Sequence, residues 1–191
     1  DGSGNIYVTG HYYGSASFGS ITLNSVNNTQ DVFIAKLNSS GTFIWAVSAG
    51  GNMWDEPYAI NVDQQGNVLV TGEFQGTSTF GSTSLTSMLN GNNNPSLDIF
   101  TAKYDNGGNF LWVRQGSAEF DDRGLDVGTD ANGNVFVCGQ FSDTIMFNQV
   151  HNNQIMNAVF IIKYSPSGQE LWFVRGGATS SIAYGLAVDN N

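Results

Sequence analysis

The chain is short of positive charge. Its 191 residues hold 6 Lys+Arg against 16 Asp+Glu, a formal net charge of −10. A nucleic-acid partner needs cations to displace the counterions condensed on its phosphates, and this composition has none in excess. The same deficit argues against docking on anionic lipid. No apolar run approaches the roughly 20 residues of a membrane-spanning helix, so no membrane insertion is expected. The single cysteine, Cys138, leaves no internal disulfide and no Cys-rich zinc site. His11 and His151 sit in non-equivalent places, neither in metal-ligand spacing. Nucleophile elbow, P-loop and dinucleotide fingerprint are missing. No stretch shows a capped 3.6-residue periodicity, so helices are not expected.

What the chain does have is a repeat. Its three lysines fill one slot, each followed by Gly and then Trp at fixed spacing: Lys36/Gly41/Trp45, Lys103/Gly108/Trp112 and Lys163/Gly168/Trp172. The surrounding segments, DVFIAKLNSSGTFIWAVSAGG, DIFTAKYDNGGNFLWVRQG and AVFIIKYSPSGQELWFVRGG, each read as two strands joined by a tight turn. Upstream, DGSGNIYVTG, DQQGNVLVTG and DANGNVFVCG place Asp–x–x–Gly–Asn before an alternating strand. There the Asp side chain accepts nearby backbone N–H groups, and Gly supplies the positive φ of a tight hairpin. Phe18–Gly19 and Phe80–Gly81 recur at a common offset, with Phe147–Asn148 as a looser copy. An Asn/Ser/Thr-rich connection of variable length follows. It is longest in the middle unit, where TSMLNGNNNPSL reads as a surface loop.

Three units result: 1–62, starting at its second strand, 63–129, and 130–191, which adds the first strand of a following unit at residues 183–188. Each unit implies four short antiparallel strands: one before the Asp turn, one after it, the Lys strand and the Trp strand. One such sheet cannot bury both its faces, whereas stacked sheets cover each other. The expected fold is therefore all-β, a β-propeller built of four-stranded antiparallel blades, with three blade equivalents here.

The run D-x-x-G-N-x-Y-V-T-G, D-x-F-x-A-K, G-x-x-x-W, G-G resembles the SBBP-type β-propeller repeat of bacterial extracellular and cell-surface proteins. The likeness covers essentially the whole chain. Unit 3 departs from it at Ala158, where Asp31 and Asp98 stand in the other units, at Cys138, where Thr9 and Thr71 stand, and at Asn148 for Gly. The resemblance implies a secreted or surface-attached protein with a scaffold or adhesion role, and it carries no shared catalytic motif.

The candidate chemistry is sparse. Lys36, Lys103 and Lys163 form either a cationic ring or, as expected, a structural set that snorkels beside an acid or an aromatic. Trp45, Trp112 and Trp172 read as core. Asp130, Asn132 and Asn134 space oxygen ligands as a calcium loop does but lack the downstream bidentate Glu, and an Asx-type turn is the expected reading. No other cofactor is implied. Cys138 reads as a buried inert thiol. The neighbouring carboxylates Asp55–Glu56 and Asp121–Asp122 do not suit glycosidase chemistry, which needs two carboxyls converging from either side of a sugar.

Trp54 alone among the four tryptophans lies outside the repeat slot. It stands in GGNMWDEP, and the second unit answers with GSAEFDDR. The expected binding face gathers Trp54, Asp55, Phe120, Asp121, Asp122 and His151 with the long insertion, on the rim carrying segments 19–31, 81–97 and 148–157. The tight turns would occupy the other rim. Aromatics beside Asp and Asn stack on sugars or dock a protein; equally, Trp54 and Phe120 plug the gap between blades. A non-catalytic binding or structural module is the expected function. The alternatives are a carbohydrate-binding module of a glycan-degrading system and, further off, an enzyme with its site in the ring channel.

Three blades fall below the usual four to eight. Residues 183–188 are therefore expected to pair with residues 5–10 of another copy or of further blades in a longer chain. An initial Asp, with neither initiator Met nor signal peptide, fits a processed piece.

Overall fold

Each Asp–x–x–Gly–Asn segment closes on itself in the way its chemistry requires. In the computed structural model, which describes residues 1–151, 158–177 and 180–189, Asp63 Oδ1 accepts the N–H groups of Gln65 and Asn67 at 3.0 and 2.8 Å. Its second oxygen accepts the Asn67 side-chain amide at 2.8 Å. Gly66 takes a φ of +81°, the left-handed region that a side chain disfavours. Asp1 and Asp130 repeat this net of bonds with their own Asn partners.

Counted by its sheet, the second unit starts before residue 63, at β6, and holds six strands with such turns at Asp63 and Asp105: β6 (Asp55–Val62), β7 (Val68–Gln75), β8 (Thr77–Phe80), β9 (Thr83–Thr86), β10 (Leu97–Tyr104) and β11 (Phe110–Gly116). Before them lie β1 (Ile6–Tyr13), β2 (Ser15–Phe18), β3 (Ile21–Asn24), β4 (Gln30–Leu37) and β5 (Phe43–Gly51). After them come β12 (Arg123–Thr129), β13 (Val135–Phe141), β14 (Ile145–Met146), β15 (Val150–His151), β16 (Ala158–Tyr164) and β17 (Glu170–Gly176). No α-helix occurs among the described residues, where one 3-10 turn stands at Val26–Asn28.

The unit sheets run β6-β7-β10-β11 and β12-β13-β16-β17, antiparallel throughout, with the same bulge between Lys and the following residue at Lys103 and Lys163. In the first unit the order is β1-β4-β5, and β1 has no ladder on its other edge among the described residues. These are the four expected strands per unit, less the first strand of unit 1.

The connection between the second strand and the Lys strand differs from the irregular loop expected. It opens with a hairpin, β2–β3, β8–β9 or β14–β15, and in the second and third units the hairpin grips the preceding unit. Ser78 and Thr79 of β8 pair with Gly51 and Gly50 of β5, and Met146 bridges to Ser117. The recurring Phe–Gly was the trace of it: Gly19 and Gly81 turn at φ +64° and +56°, and Phe80 is buried between units.

Packing follows from two-sided burial. In β7, Val68 and Val70 face unit 1 while Leu69 faces unit 3. The central strands of unit 2 are therefore buried almost without alternation, polar Thr71, Asp98 and Lys103 included, because neither face meets water. One core joins units 1 and 2 around Val32, Ile34, Val68, Val70 and Phe100, and a second joins units 2 and 3 around Ile99, Trp112, Val137, Phe160 and Tyr164.

Residues 183–188, expected as a strand, form no ladder among the described residues. A strand needs a partner edge. The segment instead lies over unit 3, where the Leu186 N–H donates to Asp126 at 2.8 Å and the Leu186 and Val188 side chains stand over Gly128.

Candidate functional site

The two rims of the stack are built differently. On the turn rim the three lysines lie along the sheets with their ends engaged. Lys103 Nζ sits 2.9 Å from Asp63 with both side chains buried. Lys163 Nζ reaches Asp130 at 3.3 Å and lies 4.8 Å from the centre of the Phe136 ring. Lys36 donates to Asn106 and stands over the Tyr7 ring at 5.1 Å. No open cationic ring is present at these three residues; the structural role expected of them accounts for each contact. The Asp130 oxygens accept from Asn132, Asn134 and Lys163, so its loop is an Asx-type turn. Among the described residues no group of three or more His, Cys, Asp or Glu side chains is arranged to hold a metal ion.

Trp45 and Trp112 also serve this rim. Each indole N–H donates 3.0 Å to a backbone carbonyl in the Lys-strand turn of the next unit, Asn106 for Trp45 and Pro166 for Trp112. Trp172 is 40% exposed.

On the other rim the variable connections meet the segments that follow each Trp strand. Ser96 Oγ donates to the Ala118 carbonyl at 3.2 Å, the Leu97 N–H to Asp121 at 3.1 Å, and Thr29 Oγ1 to the Gly51 carbonyl at 2.8 Å. The Asn-rich insertion is itself ordered by an Asx turn, in which Asn90 Oδ1 accepts the Asn92 and Asn94 N–H groups at 3.0 and 3.1 Å.

Buried carboxylates sit beneath this rim, one pair at each seam. Asp31 and Asp55 meet between units 1 and 2, Asp98 and Asp122 between units 2 and 3, and all four are buried. Asp55 accepts from Ser78 Oγ and from the Gly51 N–H at 2.9 Å. Burial nevertheless pushes its pKa up to about 7. Asp98 accepts from the Met88 N–H, Ser96 and Gln115, yet burial raises it to about 6. Asp122 is held well above the ordinary carboxylate range, again by burial. The register places Ile145 where the first seam has Ser78, so Asp122 lacks that hydroxyl. Asp31 Oδ1 is buried with no hydrogen-bond partner. No lysine or arginine makes a salt bridge to any of the four among the described residues.

The face expected from the sequence therefore separates into parts. Asp55 and Asp122 are internal and cannot contact a ligand at the surface, because both belong to the carboxylate pairs at the seams. His151 is stacked on Phe173, 4.0 Å between ring centres, and contacts Glu170 at 2.7 Å. Trp54, 50% exposed, stands at the rim of the first seam, and Phe120, 42% exposed, at the second. Ladder register equates Pro57 with Gly124, hence Trp54 with Asp121 rather than with Phe120, one residue off the sequence alignment. The 148–157 connection lies partly outside the described residues.

Phe120 and Asp121 stay together at the surface. They line a cleft of about 410 Å3 with Asn90, Glu119, Arg123 and Ser142. Arg123 is fixed by Glu73 at 2.9 Å, and Glu73 also accepts the Tyr58 hydroxyl at 2.8 Å. The sequence reading missed Asn90, Glu119 and Arg123. Their signal was the insertion of unit 2 itself, which brings Asn90 over the second seam. The cleft offers one exposed ring amid carboxylates, an amide and a guanidinium, a lining for a polar ligand with an apolar face.

No protein-family model matches the chain. It is similar to an uncharacterized WD repeat-containing protein of Acanthamoeba polyphaga mimivirus, 26% identical over 204 aligned positions that cover 90% of this chain. The chain spans 14% of that relative's length.

Proposed function

We propose that the chain is a segment of a non-catalytic β-propeller scaffold that binds a macromolecular partner through its loop rim. The observation that carries this is the cleft at the second seam. Exposed Phe120, Asp121 and Arg123 are presented there on stacked, hydrogen-bonded sheets, while the opposite rim spends its polar groups on its own turns. Likeness to a WD repeat-containing protein supports a protein-interaction scaffold. Resemblance to the SBBP-type repeat supports a secreted or bacterial surface setting and an adhesion role. In this reading further blades, of a longer chain or of another copy, continue the stack through residues 183–188 and β1. A glycan ligand is the second reading, favoured by an exposed ring flanked by Asn90, Asp121 and Arg123, which combines stacking with hydrogen bonding.

Photo-crosslinking from a photoreactive residue placed at Gly91, beside Asn90 and Glu119 at the cleft, against surface proteins of the source cell, tests the protein reading. Phe120→Ala and Asp121→Ala should abolish the adduct, and Gln64→Ala on the turn rim should leave it. Equal loss from both rims would sink the proposal. A glycan array sharpens the choice of ligand: a signal removed by Phe120→Ala selects the carbohydrate reading, and silence selects the protein one.

A further inference from the structure

The two internal seams are closed by the same joint. Among the described residues, the second alone carries exposed acids with no cation beside an exposed ring. We propose that the cleft above it receives an arginine side chain of a protein partner, the guanidinium stacking on Phe120 and bonding to Asp121 and Glu119. This rests on the loop-rim reading above and names the chemistry of the partner.

A comparison of the seams shows that the fold does not need these acids. Carried outward, the ladder register sets Asn52, Met53 and Trp54 of the first seam against Glu119, Phe120 and Asp121 of the second. Beneath them the joint is the same: the Gly51 N–H donates to Asp55 at 2.9 Å, and the Ala118 N–H bonds to Asp122. An amide, a thioether and an indole serve above the first joint, where the second has two carboxylates and a phenyl ring. Glu119 and Asp121 are exposed, and no lysine, arginine or histidine makes a salt bridge to either among the described residues. Asp121 accepts one backbone N–H, from Leu97 at 3.1 Å.

The ring is held outward for a steric reason. At the first seam Met53 packs over Gly76, its sulfur 2.8 Å from where a Cβ would stand. The counterpart of Gly76 is Asp143, which takes the same left-handed turn, at φ +63° against +70°. A Cβ at that position fills the space that Met53 uses, and Phe120 remains 42% exposed. Ser142 stands where the first seam has the longer Gln75, which widens the opposite wall. Across the cleft, Glu119 Oε1 lies 3.0 Å from where a Gly91 Cβ would stand, so the missing side chain lets the carboxylate reach the insertion.

The lining calls for a cation that it does not itself provide. Arg123 is already matched by Glu73 at 2.9 Å. Burial first, and the Asp121 charge in addition, hold Glu73, Asp98 and Asp122 above the ordinary carboxylate range, so the field of Asp121 reaches the wall and the floor of the cleft. A guanidinium answers both features at once: its plane lies on an aromatic face while its edge forks onto a carboxylate. An ammonium has no plane to lay on the ring. The net charge of −10 favours encounter with a basic partner.

Two capped tripeptides test this, glycine–arginine–glycine and the same peptide with citrulline, which keeps the planar head and loses the charge. Amide NMR of the isotope-labelled full chain should show saturable shifts with the arginine peptide, largest at Asn90 and residues 119–121. The citrulline peptide should bind about tenfold more weakly. Asp121→Asn should weaken the arginine peptide about tenfold and Phe120→Ala about threefold, with the rest of the spectrum unchanged. Equal binding of the two peptides, or shifts that spread over the acidic surface without saturating, overturns the proposal. Crosslinking from position 91 with excess arginine peptide separates the two readings. An adduct that the peptide does not compete away removes the arginine and leaves the loop-rim reading; peptide binding with no adduct from any protein removes the loop-rim reading instead.

Discussion

The two rims are made from the same repeat, yet they treat carboxylates in opposite ways. On the turn rim burial pulls Asp63 upward, but the Asn67 amide, Lys103 and a backbone N–H outweigh it and hold its pKa below the usual value. Asp130 is lowered in the same manner by Asn134 and Lys163. On the loop rim burial wins over every donor, and Asp55, Asp98 and Asp122 are raised. The difference is the balance of donors against burial. On the turn rim the Asx net of amide and backbone donors, joined by a lysine at Asp63 and Asp130, outweighs burial, and it lowers Asp105 with no lysine at all, whereas beneath the loop rim burial dominates and favours the protonated acids. A rim whose polar groups satisfy one another presents little to a partner. The loop rim tolerates an insertion and keeps Phe120 and Asp121 exposed at the surface.

Removing the cation should break the comparison most sharply. Lys103→Ala leaves the buried Asp63 unpaired and should cost about 3–5 kcal/mol in urea denaturation. Lys36→Ala, which faces a neutral amide and a ring, should cost only about 1–2 kcal/mol. Equal losses would mean that the acid of the turn rim does not need its lysine.

The opposite shifts predict opposite pH responses. Asp55 and Asp98 bind protons more tightly in the folded state. The stability they contribute is fully present below their unfolded pKa of 3.8 and is lost as pH rises through about 6 and 7. Asp63 and Asp130 are depressed, so their contribution is present above 3.8 and is lost on acidification below it. The unfolding midpoint should therefore fall between pH 5 and pH 8. Asp55→Asn should recover on the order of 2 kcal/mol at pH 8 relative to its effect at pH 5. A flat profile across that range would remove the neutral acids from the account.

Smaller effects sharpen the contrast at the surface. Phe120→Ala should change stability by no more than about 0.5 kcal/mol, because the ring is exposed, while abolishing the adduct formed from position 91. Cys138 is buried and its thiol pKa is pushed up to about 11, first by burial and then by Asp126. A thiol reagent should label it only under unfolding conditions, and labelling of the native chain would show that segment 180–189 leaves unit 3 in solution.

Unit 3 carries the comparison to its end. Ala158 stands where Asp31 and Asp98 stand, and counting back from Asp189 places Ser181 where Asp55 and Asp122 stand. Both members of the carboxylate pair are replaced together. That is the pattern expected if the two acids act on each other across a seam rather than separately on a ligand.

Much of this was legible in the sequence because it is local. Asp–x–x–Gly–Asn closes a turn from its own side chain and backbone, Lys–Gly–Trp spacing marks two strands about a second turn, and three in-phase copies fix four strands to a unit. The hairpins β2–β3 and β8–β9 were visible only as Phe–Gly, since short Ser/Thr strands have little apolar contrast and their partner belongs to another unit. Position at the candidate site was harder still. Trp54, Asp55, Phe120, Asp121 and Asp122 read alike as aromatics and acids on a loop, yet a one-residue difference decides which points inward. Tertiary structure made that choice. Burial depends on what the neighbouring unit places opposite, a Ser78 hydroxyl at one seam and Ile145 at the other, and no spacing within a single unit encodes it. The sequence by itself determined the turns, the strands and their repetition, because hydrogen bonds over a few residues suffice for those. Only the stacking of units decided which carboxylates lose water, which lysine finds an acid, and which faces are left to be covered.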